Sequence, residues 1–282
     1  MEVEASAPAS AANLGPGFDV LALALELRCR VTATRDERWS VRHVGPEFPR
    51  AHFDTVLAAA QEAVGEAKPL ALVVDNYVPI GKGLGSSAAA AVAGAVAAWR
   101  AHGTEPEPEQ VFDLVAKMEE HPDNAAAAVY GGLVLCPPDG KVRRLALHQS
   151  LFPLVAVPNE SLATAEARGA LVDHLPRGVA VRSLGRMGAL VAGLIEGDDD
   201  LLAGAADDEM HEAPRSGLRP QVGECIAAAR KAGASHVSWS GAGPAVLALV
   251  KAGREGAVRE AMEATMQSCE VRRLEVAADG FR

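Results

Sequence analysis

The segment VPIGKGLGSSAAAAVAGAVAAW, residues 78–99, places three glycines and two serines directly before an alanine-rich stretch with helical character. The N-terminus of a helix presents backbone N–H groups without partners, and glycine lets an anion approach the backbone closely. The segment therefore predicts an anion-binding loop, with a phosphate group as the expected ligand. A glycine-rich surface turn is the alternative, although turns seldom place Ser-Ser directly after several glycines.

Two common phosphate loops do not fit this segment. A Walker A loop ends in Gly-Lys followed by Ser or Thr, whereas here Gly85 precedes two serines and Lys82 stands too early. A dinucleotide fingerprint requires GxGxxG and, about twenty positions later, an acidic residue that follows a strand. Here the glycines alternate as GxGxG, and Glu105 has no strand to carry it. The segment is therefore a different kind of phosphate loop.

A second group of polar residues follows the predicted helix that ends in Glu119 and Glu120. The next residue, His121, precedes a proline that keeps it out of the helical conformation, so the chain turns there and can present short polar side chains into a cleft. Asp123 and Asn124 are the resulting candidates. Plainer interpretations compete: the glutamates can be solvated residues of a helix end, Asp123 can cap the next helix, and His121 can be a packed or capping residue.

The composition excludes several classes of protein. Of the 282 residues, 49% are hydrophobic, so the chain can bury a sizeable core. The formal net charge of −10 argues against a nucleic-acid partner, which needs a basic face. The four cysteines lack the spacing of a zinc site or a disulfide framework, as expected for reduced thiols of the cytoplasm. No secretory signal is evident, and the uncharged alanine-rich stretch at residues 84–99 is too short to cross a bilayer, so we expect a cytoplasmic location and no membrane.

Strand and helix patterns alternate through both halves of the chain. In the first half, strand patterns occur in the segment from Val20, in its expected partner WSVRHV, in PLALVVDNYVP and after Gly131-Gly132. Helical patterns occur after Asp54, at 87–102 and at 108–120. In the second half, the predicted helices cover 161–171, 177–196, 198–212 and 220–232, and the strand-like segments are LFPLVAVP, SHVSWSGAGPAVLALV and EVRRLEVAA. The pattern predicts an α+β protein of two packed domains, residues 1–155 and 156–282.

The glycine loop resembles the second of three motifs of the GHMP kinases, the family of galacto-, homoserine, mevalonate and phosphomevalonate kinases. PASAANLGPGFDVLALAL, residues 8–25, looks like the first motif, and SGAGPAVLAL, residues 240–249, looks like the third. The three motifs follow the family's order and span most of the chain. The resemblance implies a two-domain α+β fold, with a first half like domain 2 of ribosomal protein S5 and a ferredoxin-like second half, which share one active-site cleft.

The resemblance also implies ATP and Mg²⁺ as cofactors. The expected ATP-binding run is Pro79, Ile80, Gly81, Lys82, Gly83, Leu84, Gly85, Ser86, Ser87, Ala88 and Ala89. Phosphoryl transfer depends mainly on positioning and charge neutralisation, and Mg²⁺ takes few protein ligands because it keeps several waters. By motif position the metal ligands are Ser87 and Glu119, with Ser86 and Glu120 as competitors. These two ligands and Asp123 are the expected catalytic residues, and whether Asp123 acts as a base is left open.

Four segments resemble the members of the family that phosphorylate L-homoserine: NLGPGFD, HPDN, ATAEAR at 163–168 and HEAPR at 211–215. Two places depart from the usual pattern, namely Glu120, where glycine is usual, and 213–214, where Pro-Tyr is usual. The implied small-molecule substrate is L-homoserine, whose ammonium Asp19 can pair with and whose carboxylate Arg168 and Arg215 can clamp with planar guanidinium groups. The full expected substrate set is Asn13, Asp19, Asn124, Arg168, Arg215, Ser240 and Gly241.

Two rival functions stay open at this point. Another small alcohol, such as mevalonate or shikimate, would also satisfy the arginines, although Asp19 favours a substrate that carries an amine. A ligand-sensing relative without turnover would be expected to lack the metal ligands, yet Ser87 and Glu119 are both present. The oligomeric state, including a homodimer, is likewise left open.

Overall fold

The computed structural model describes residues 2–48, 54–119, 121–138, 141–266 and 268–282, which form two β-sheets with helices packed against them. The first sheet contains β1 (Glu2–Ala12), β2 (Leu21–Arg35), β3 (Ser40–His43), β4 (Leu70–Asn76), β5 (Leu133–Leu135) and β6 (Arg143–Leu145). The second contains β7 (Phe152–Pro158), β8 (His236–Trp239), β9 (Val246–Val250) and β10 (Cys269–Arg273). The helices are α1 (Thr55–Val64), α2 (Ser86–Ala101), α3 (Pro108–Glu119), α4 (Pro122–Tyr130), α5 (Thr164–Gly169), α6 (Arg177–Glu196), α7 (Asp199–Gly204), α8 (Glu212–Arg215), α9 (Pro220–Lys231) and α10 (Glu255–Thr265).

Strand β2 organises the first sheet, because it pairs along its length with β1 and, through its two ends, with β5 and β4. Its alternating leucines predict a strand, and the structure confirms it. The expectation that WSVRHV is its partner is wrong, since β3 pairs in parallel with β4 instead. The pairing differs because β4 occupies the edge of β2 that β3 would need.

Strand β1 is not among the strands that the sequence patterns predict. Its sequence, EVEASAPASAA, is dominated by alanine and serine, which carry no apolar alternation. From Ala5 onward every residue of the strand is buried, because α2 and α4 pack against it and small side chains permit the close approach. This strand matters for the site, since its end leads directly into the loop of the first motif.

The predicted alanine-rich helix is confirmed as α2, which is buried along almost its whole length against β1, β2 and α1. Its small side chains let these elements come close. At Gly94 a Cβ atom would lie 2.7 Å from the carbonyl oxygen of Val56, so a larger residue would push α1 away. The N-terminus of this helix, after Gly85, is thereby held rigidly against the sheet.

The second sheet has the order β10-β7-β9-β8 with every pair antiparallel, which is the ferredoxin-like arrangement implied by the resemblance. Helices α9 and α10 pack against it. The helix predicted at 198–212 is wrong in extent, because α7 ends at Gly204 and α8 starts at Glu212. The domain boundary expected near residue 155 falls inside β7, and its position stays a prediction.

After β10 the chain returns to the first sheet. Val276 forms a bridge with Leu25, and the buried guanidinium of Arg28 donates to the carbonyl oxygens of Asp279 and Gly280 at 3.1 Å. The backbone of Gly280 also lies directly against the C-terminal part of α4. The helix that carries Asp123 is thus packed in part by residues that follow the second sheet.

By length and composition alone, one helix among the described residues, α6, could span a membrane. This is weak evidence, because a long apolar helix of a soluble protein passes the same test.

We expect Gly280→Ala to destabilise the protein. A Cβ atom at this position would overlap the carbonyl oxygen of Val129 in α4, so backbone must shift, at a cost of about 1–3 kcal/mol for overpacking. The measurement is the free energy of unfolding in urea.

The matched control is Gly223→Ala inside α9, where a Cβ atom meets open space. Alanine there is expected to stabilise by about 0.5–1 kcal/mol, because it restricts the unfolded chain. Equal stability of Gly280→Ala and the unmodified protein would contradict the packing described for the C-terminal residues.

Candidate active site

A cleft of about 1080 Å³, including its open mouth, brings together segments that are far apart in sequence. Residues of all three motifs line it, as do residues of α3, α4, α5 and α8. Pockets of this size bind small molecules and cofactors. The cleft therefore identifies where the predicted site residues can act together.

The glycine loop is shaped by three residues in the left-handed region: φ is 71° at Gly81, 78° at Gly83 and 64° at Gly85. Side chains are excluded there for a second reason. A Cβ atom at Gly83 would overlap the carbonyl oxygen of Ser240, and one at Gly85 would overlap the hydroxyl of Ser10. Gly85 is the N-cap of α2 and makes no side-chain cap, so the first backbone amides of the helix remain available to an anion.

The residues of the predicted ATP-binding run do not all face the cleft. Those that line it are Pro79, Ile80, Gly81, Gly83, Leu84, Gly85, Ser86 and Ser87. Ala88 and Ala89 are fully buried in the body of α2. The ammonium of Lys82 donates to the carbonyl oxygens of Asn159 and Glu160, at 2.6 and 2.7 Å, and so ties the loop to the segment after β7.

The two serines at the start of α2 have different partners. The Ser86 hydroxyl donates to the carbonyl oxygen of Val78 at 3.1 Å and accepts from the amide of Asn76. The exposed Ser87 hydroxyl instead donates to Glu119 Oε1, at 2.5 Å. Two side-chain oxygens that could hold a cation thus meet at the rim of the cleft, whereas the Ser86 hydroxyl is engaged by Val78 and Asn76. The competitor Glu120 lies outside the described residues.

The N-cap of α4 is His121, in extended conformation, rather than Asp123. The side chain of His121 does not cap the helix, and its Nδ1 is buried without a hydrogen-bond partner among the described residues. Asp123 is only 1% exposed, and burial raises the pKa of its carboxyl to about 6. The amide oxygen of Asn124 accepts a hydrogen bond from Ser10, at 2.8 Å. Both side chains of the predicted Asp-Asn pair line the cleft.

The loop after β1 holds its residues in uncommon conformations, since φ is 71° at Asn13, 52° at Leu14 and 55° at Asp19. Asn13 closes this loop: its amide donates to the carbonyl oxygen of Gly241 at 2.9 Å, and its oxygen accepts from the backbone of Asp19 at 3.0 Å. The predicted contact of Asn13 with substrate therefore competes with a positioning role that the structure already gives it.

Ser240 and Gly241 also connect loops. The Ser240 hydroxyl donates to the carbonyl oxygen of Gly83 at 2.7 Å, and the Gly241 backbone N–H donates to the carbonyl oxygen of Ala12 at 2.9 Å. Gly241 lines the cleft. The loop of the third motif therefore holds the first two motifs together.

Asp19 and Arg168, which the sequence assigns to opposite ends of a substrate, pair with each other. Arg168 Nη2 and Nη1 lie 2.7 and 3.1 Å from the two carboxylate oxygens of Asp19. Both side chains are about one-third exposed, so the pair stands at the water-accessible wall of the cleft.

Arg215 is almost fully buried, and most of its guanidinium is already bound by the protein. Nε donates to the carbonyl oxygen of Ala167, and Nη1 donates to Gly241 O at 3.1 Å and to His211 Nδ1 at 2.9 Å. Nη2 makes no hydrogen bond with any described residue. Arg215 lines the cleft, and Nη2 is the donor of its guanidinium that the described residues leave available to a ligand, so its part in the expected carboxylate clamp stays a prediction. Burial lowers the pKa of Arg215 to about 10, so the group stays charged near neutrality.

Two further residues, Phe18 and His211, lie among the predicted site residues, although no sequence pattern gives them a role. The Phe18 ring stacks on His211, with centroids 5.1 Å apart, and the guanidinium carbons of Arg168 and Arg215 lie 5.5 and 5.6 Å from its centroid. Phe18 lies in the segment NLGPGFD and His211 in the segment HEAPR. Only their contacts in the folded protein distinguish them from ordinary core residues.

Comparison with known proteins agrees with this arrangement. The family model of the GHMP kinases N terminal domain matches residues 51–132, and that of the GHMP kinases C terminal region matches residues 190–268. The homoserine kinase of Moorella thermoacetica is 37% identical over 91% of this chain and 90% of its own length. That of Gloeobacter violaceus is 40% identical over 92% of this chain and 91% of its own length.

Solved structures show the same relationship. A homoserine kinase from Cytophaga hutchinsonii superposes with a TM-score of 0.88 at 28% identity, covering 100% of this chain and 96% of that one. A mevalonate kinase that is 12% identical superposes with a TM-score of 0.77, covering 98% of this chain and 100% of that one, and so shares the fold. The two family models together match more than half of the residues, and the two bacterial relatives are 37% and 40% identical over about nine-tenths of their length. The chain therefore belongs to the GHMP kinase family, in the branch whose named members are homoserine kinases.

Proposed function

We propose that the protein transfers the γ-phosphoryl group of ATP to the hydroxyl of L-homoserine, giving O-phospho-L-homoserine for threonine biosynthesis. The observation that supports this proposal most directly is the arrangement of charged side chains along the cleft. A carboxylate, Asp19, stands beside two guanidinium groups, Arg168 and Arg215, and a glycine loop with a serine–glutamate pair lies along the same cleft. The proposal includes a cytoplasmic location and the division of the chain near residue 155.

A zwitterionic amino acid fits the Asp19–Arg168 pair better than a simple acid does. Its ammonium can pair with Asp19, while its carboxylate pairs with Arg168 and with the Nη2 donor of Arg215. An acid without an amine, such as mevalonate or shikimate, would break the existing ion pair and leave Asp19 without a partner. The charges therefore favour the amino acid among the alternative alcohols.

The glycine loop and α2 supply the donors for the phosphates of ATP. The backbone amides at the start of α2 face the cleft, and the helix dipole favours negative charge there. Ser87 Oγ and Glu119 Oε1, which already touch, are oxygen ligands of the kind that Mg²⁺ prefers. When bound there, Mg²⁺ would neutralise charge that develops on the transferred phosphoryl group.

The acceptor hydroxyl is expected between the amino-acid end and the glycine loop, where Asp123 and Asn124 line the cleft. Asp123 is a buried carboxyl group whose pKa near 6 leaves it mostly ionised at pH 7 and able to accept the hydroxyl proton. Asn124 is held in place by Ser10 and by Asp123 itself.

An assay of ADP release across homoserine, mevalonate, shikimate and galactose tests the proposed acceptor. Homoserine is expected to give the highest kcat/KM by at least about tenfold, which corresponds to one charge-assisted contact. Faster turnover of any of the other alcohols would overturn the proposed substrate. Binding of ATP and homoserine without ADP release would instead indicate the ligand-sensing alternative.

Glu119→Gln is expected to lower kcat by at least about a hundredfold, because the metal would lose a charged ligand worth several kcal/mol of charge stabilisation. The measurement is steady-state turnover over a range of Mg²⁺ concentrations. Glu109→Gln, an exposed position on the same helix, is the matched control and is expected to leave kcat unchanged. If Glu120→Gln abolishes turnover while Glu119→Gln retains it, the metal ligand is Glu120.

Arg215→Lys is expected to lower kcat/KM for homoserine by about tenfold to a hundredfold, since a hydrogen bond to a charged group contributes roughly 1.5–3 kcal/mol. Lysine keeps the charge but cannot satisfy the two carbonyl oxygens and the imidazole while also reaching the cleft. The KM for ATP is expected to stay within about twofold, because the hydrogen bonds of Arg215 go to Ala167, His211 and Gly241 and none goes to the glycine loop.

The control for this variant is homoserine methyl ester, in which the charged carboxylate is absent for both enzymes. The loss caused by Arg215→Lys is expected to shrink with the ester. Equal losses with acid and ester would mean that Arg215 acts on the fold or on phosphate.

Asp123→Asn tests the proton acceptor. A group with a folded pKa near 6 must be ionised to accept a proton, so kcat of the unmodified enzyme is expected to fall as the pH decreases through 6. The variant is expected to lose about a hundredfold in kcat and to lose this acid limb, with little change in the KM for homoserine. An unchanged kcat, or an acid limb that persists in the variant, would show that transfer proceeds without a base at this position.

A further inference from the structure

We propose that His211 is a positioning residue of the substrate site: it fixes the guanidinium of Arg215 and the loop that carries Asp19 in one geometry, so that Nη2 of Arg215 points at the substrate carboxylate. The inference rests on the proposed function, because it takes Arg215 to be a carboxylate ligand.

The hydrogen bonds of His211 determine which ring nitrogen carries the proton. Nε2 lies 2.7 Å from the carbonyl oxygen of Gly15, which can only accept, so Nε2 must donate. Nδ1 lies 2.9 Å from Nη1 of Arg215, which can only donate, so Nδ1 must accept. One neutral tautomer satisfies both contacts at once.

The surroundings keep the imidazole neutral. His211 has no exposed surface, and burial lowers the pKa of the ring to about 4, with the charge of Arg215 acting in the same direction and Asp208 in the opposite one. A protonated ring would place an N–H against the guanidinium in place of a lone pair. The acceptor that Arg215 requires is therefore present at neutral pH.

His211 completes a set of three acceptors around Arg215. The other two are the carbonyl oxygens of Ala167 and Gly241, and together the three take the Nε donor and both Nη1 donors. The Phe18 ring, stacked on His211, restricts the guanidinium from one face. These contacts leave Nη2 as the one guanidinium nitrogen without a partner among the described residues, on a side chain that lines the cleft.

The same imidazole couples the two charged ends of the substrate site. Gly15 belongs to the loop that runs from Asn13 to Asp19, and Asp19 pairs with the opposite charge on Arg168. His211 bridges this loop to Arg215. A second link runs through the carbonyl oxygen of Gly241, which both Asn13 and Arg215 bind. The separation between the proposed ammonium and carboxylate sites therefore depends in part on His211, a side chain assigned to neither substrate group.

The chain offers a matched control in His236. This residue is also buried, its pKa is also lowered by burial to about 4, and its Nε2 lies 3.0 Å from the carbonyl oxygen of Leu14, the neighbour of Gly15. No hydrogen bond joins His236 to an arginine side chain among the described residues. It shares the loop contact of His211 but not the contact with Arg215.

The experiment compares asparagine and glutamine at both positions. The Asn side-chain oxygen, bonded to Cγ as histidine Nδ1 is, can replace the acceptor for Arg215. Glutamine Nε2, bonded to Cδ, can replace only the donor to Gly15. We expect His211→Gln to raise the KM for homoserine by about tenfold or more, His211→Asn to raise it less, and the KM for ATP to stay within about twofold in both.

The control variants, His236→Asn and His236→Gln, are expected to lower the melting temperature without changing the ratio of the two KM values. Nitrogen NMR of the unmodified protein is expected to show His211 with a protonated Nε2 and an unprotonated, hydrogen-bonded Nδ1. That measurement does not depend on the folding of any variant.

Two outcomes at His211 itself would overturn the inference. One is a His211 ring protonated at Nδ1. The other is a pattern in which the His211 variants behave like the His236 variants, with lower stability and no selective change in the KM for homoserine.

If Arg215→Lys raises the KM for homoserine while His211→Gln does not, the positioning role fails and the proposed function stands. If Arg215→Lys leaves that KM unchanged, the carboxylate contact of the proposed function fails, and the inference fails with it.

Discussion

The arrangement of the cleft depends on the close contact between the backbone of the glycine loop and the loop that joins β8 to β9. Gly83 approaches Ser240 and Gly243 so closely that a side chain would be excluded, and Ala245 N–H donates to the carbonyl oxygen of Lys82 at 3.0 Å. Each loop belongs to a different sheet, so this contact fixes one half of the protein against the other. The carbonyl oxygen of Gly241, which this contact positions, is bound by both Asn13 and Arg215. The phosphate end and the amino-acid end of the site are therefore built on one junction.

The ion pair of Asp19 and Arg168 shows how the site handles charge. A zwitterion exchanges this one pair for two, so each protein charge keeps a partner of opposite sign before and after binding. The aromatic face of Phe18 supports both guanidinium groups without supplying a competing negative charge. The net free energy gained from each contact on binding is then small. The site selects its ligand mainly by disfavouring molecules that would leave one of its charged side chains without a partner.

Sequence patterns predicted the parts of the structure in which local signals agree with tertiary packing. The alternating leucines of β2, the helical pattern of α2 and the breakers between α2 and α3 correspond to the observed elements. Strand β1 could not be predicted, because its alanines and serines have no periodic contrast, and burial between other elements determines its conformation.

For the site, residue types and motif spacing indicated which residues meet but not what each one contacts. The cleft contains Asn13, Asp19, Arg168 and Arg215, as the motifs imply. No local pattern reveals that Arg215 is bound by three acceptors, since Ala167 and Gly241 are 48 and 26 positions away along the chain. His211 is only 4 positions away, but its residue type and spacing do not show that its Nδ1 accepts from Arg215. Such contacts follow from the way the loops cross, which is a property of the complete fold.

The position of Lys82 has a consequence for the form in which the nucleotide enters the site. Its ammonium is held by backbone carbonyl oxygens of 159 and 160, and no lysine or arginine is among the described residues that line the phosphate end of the cleft. Among the described residues at this end, amide dipoles would then face the three or four negative charges of the nucleotide, with the carboxylate of Glu119 nearby. Under the proposed function, that carboxylate would repel free ATP, whereas a complex of ATP with Mg²⁺ would offer it a cation to bind. We therefore expect occupancy of the site to follow the supply of divalent cation as well as that of nucleotide.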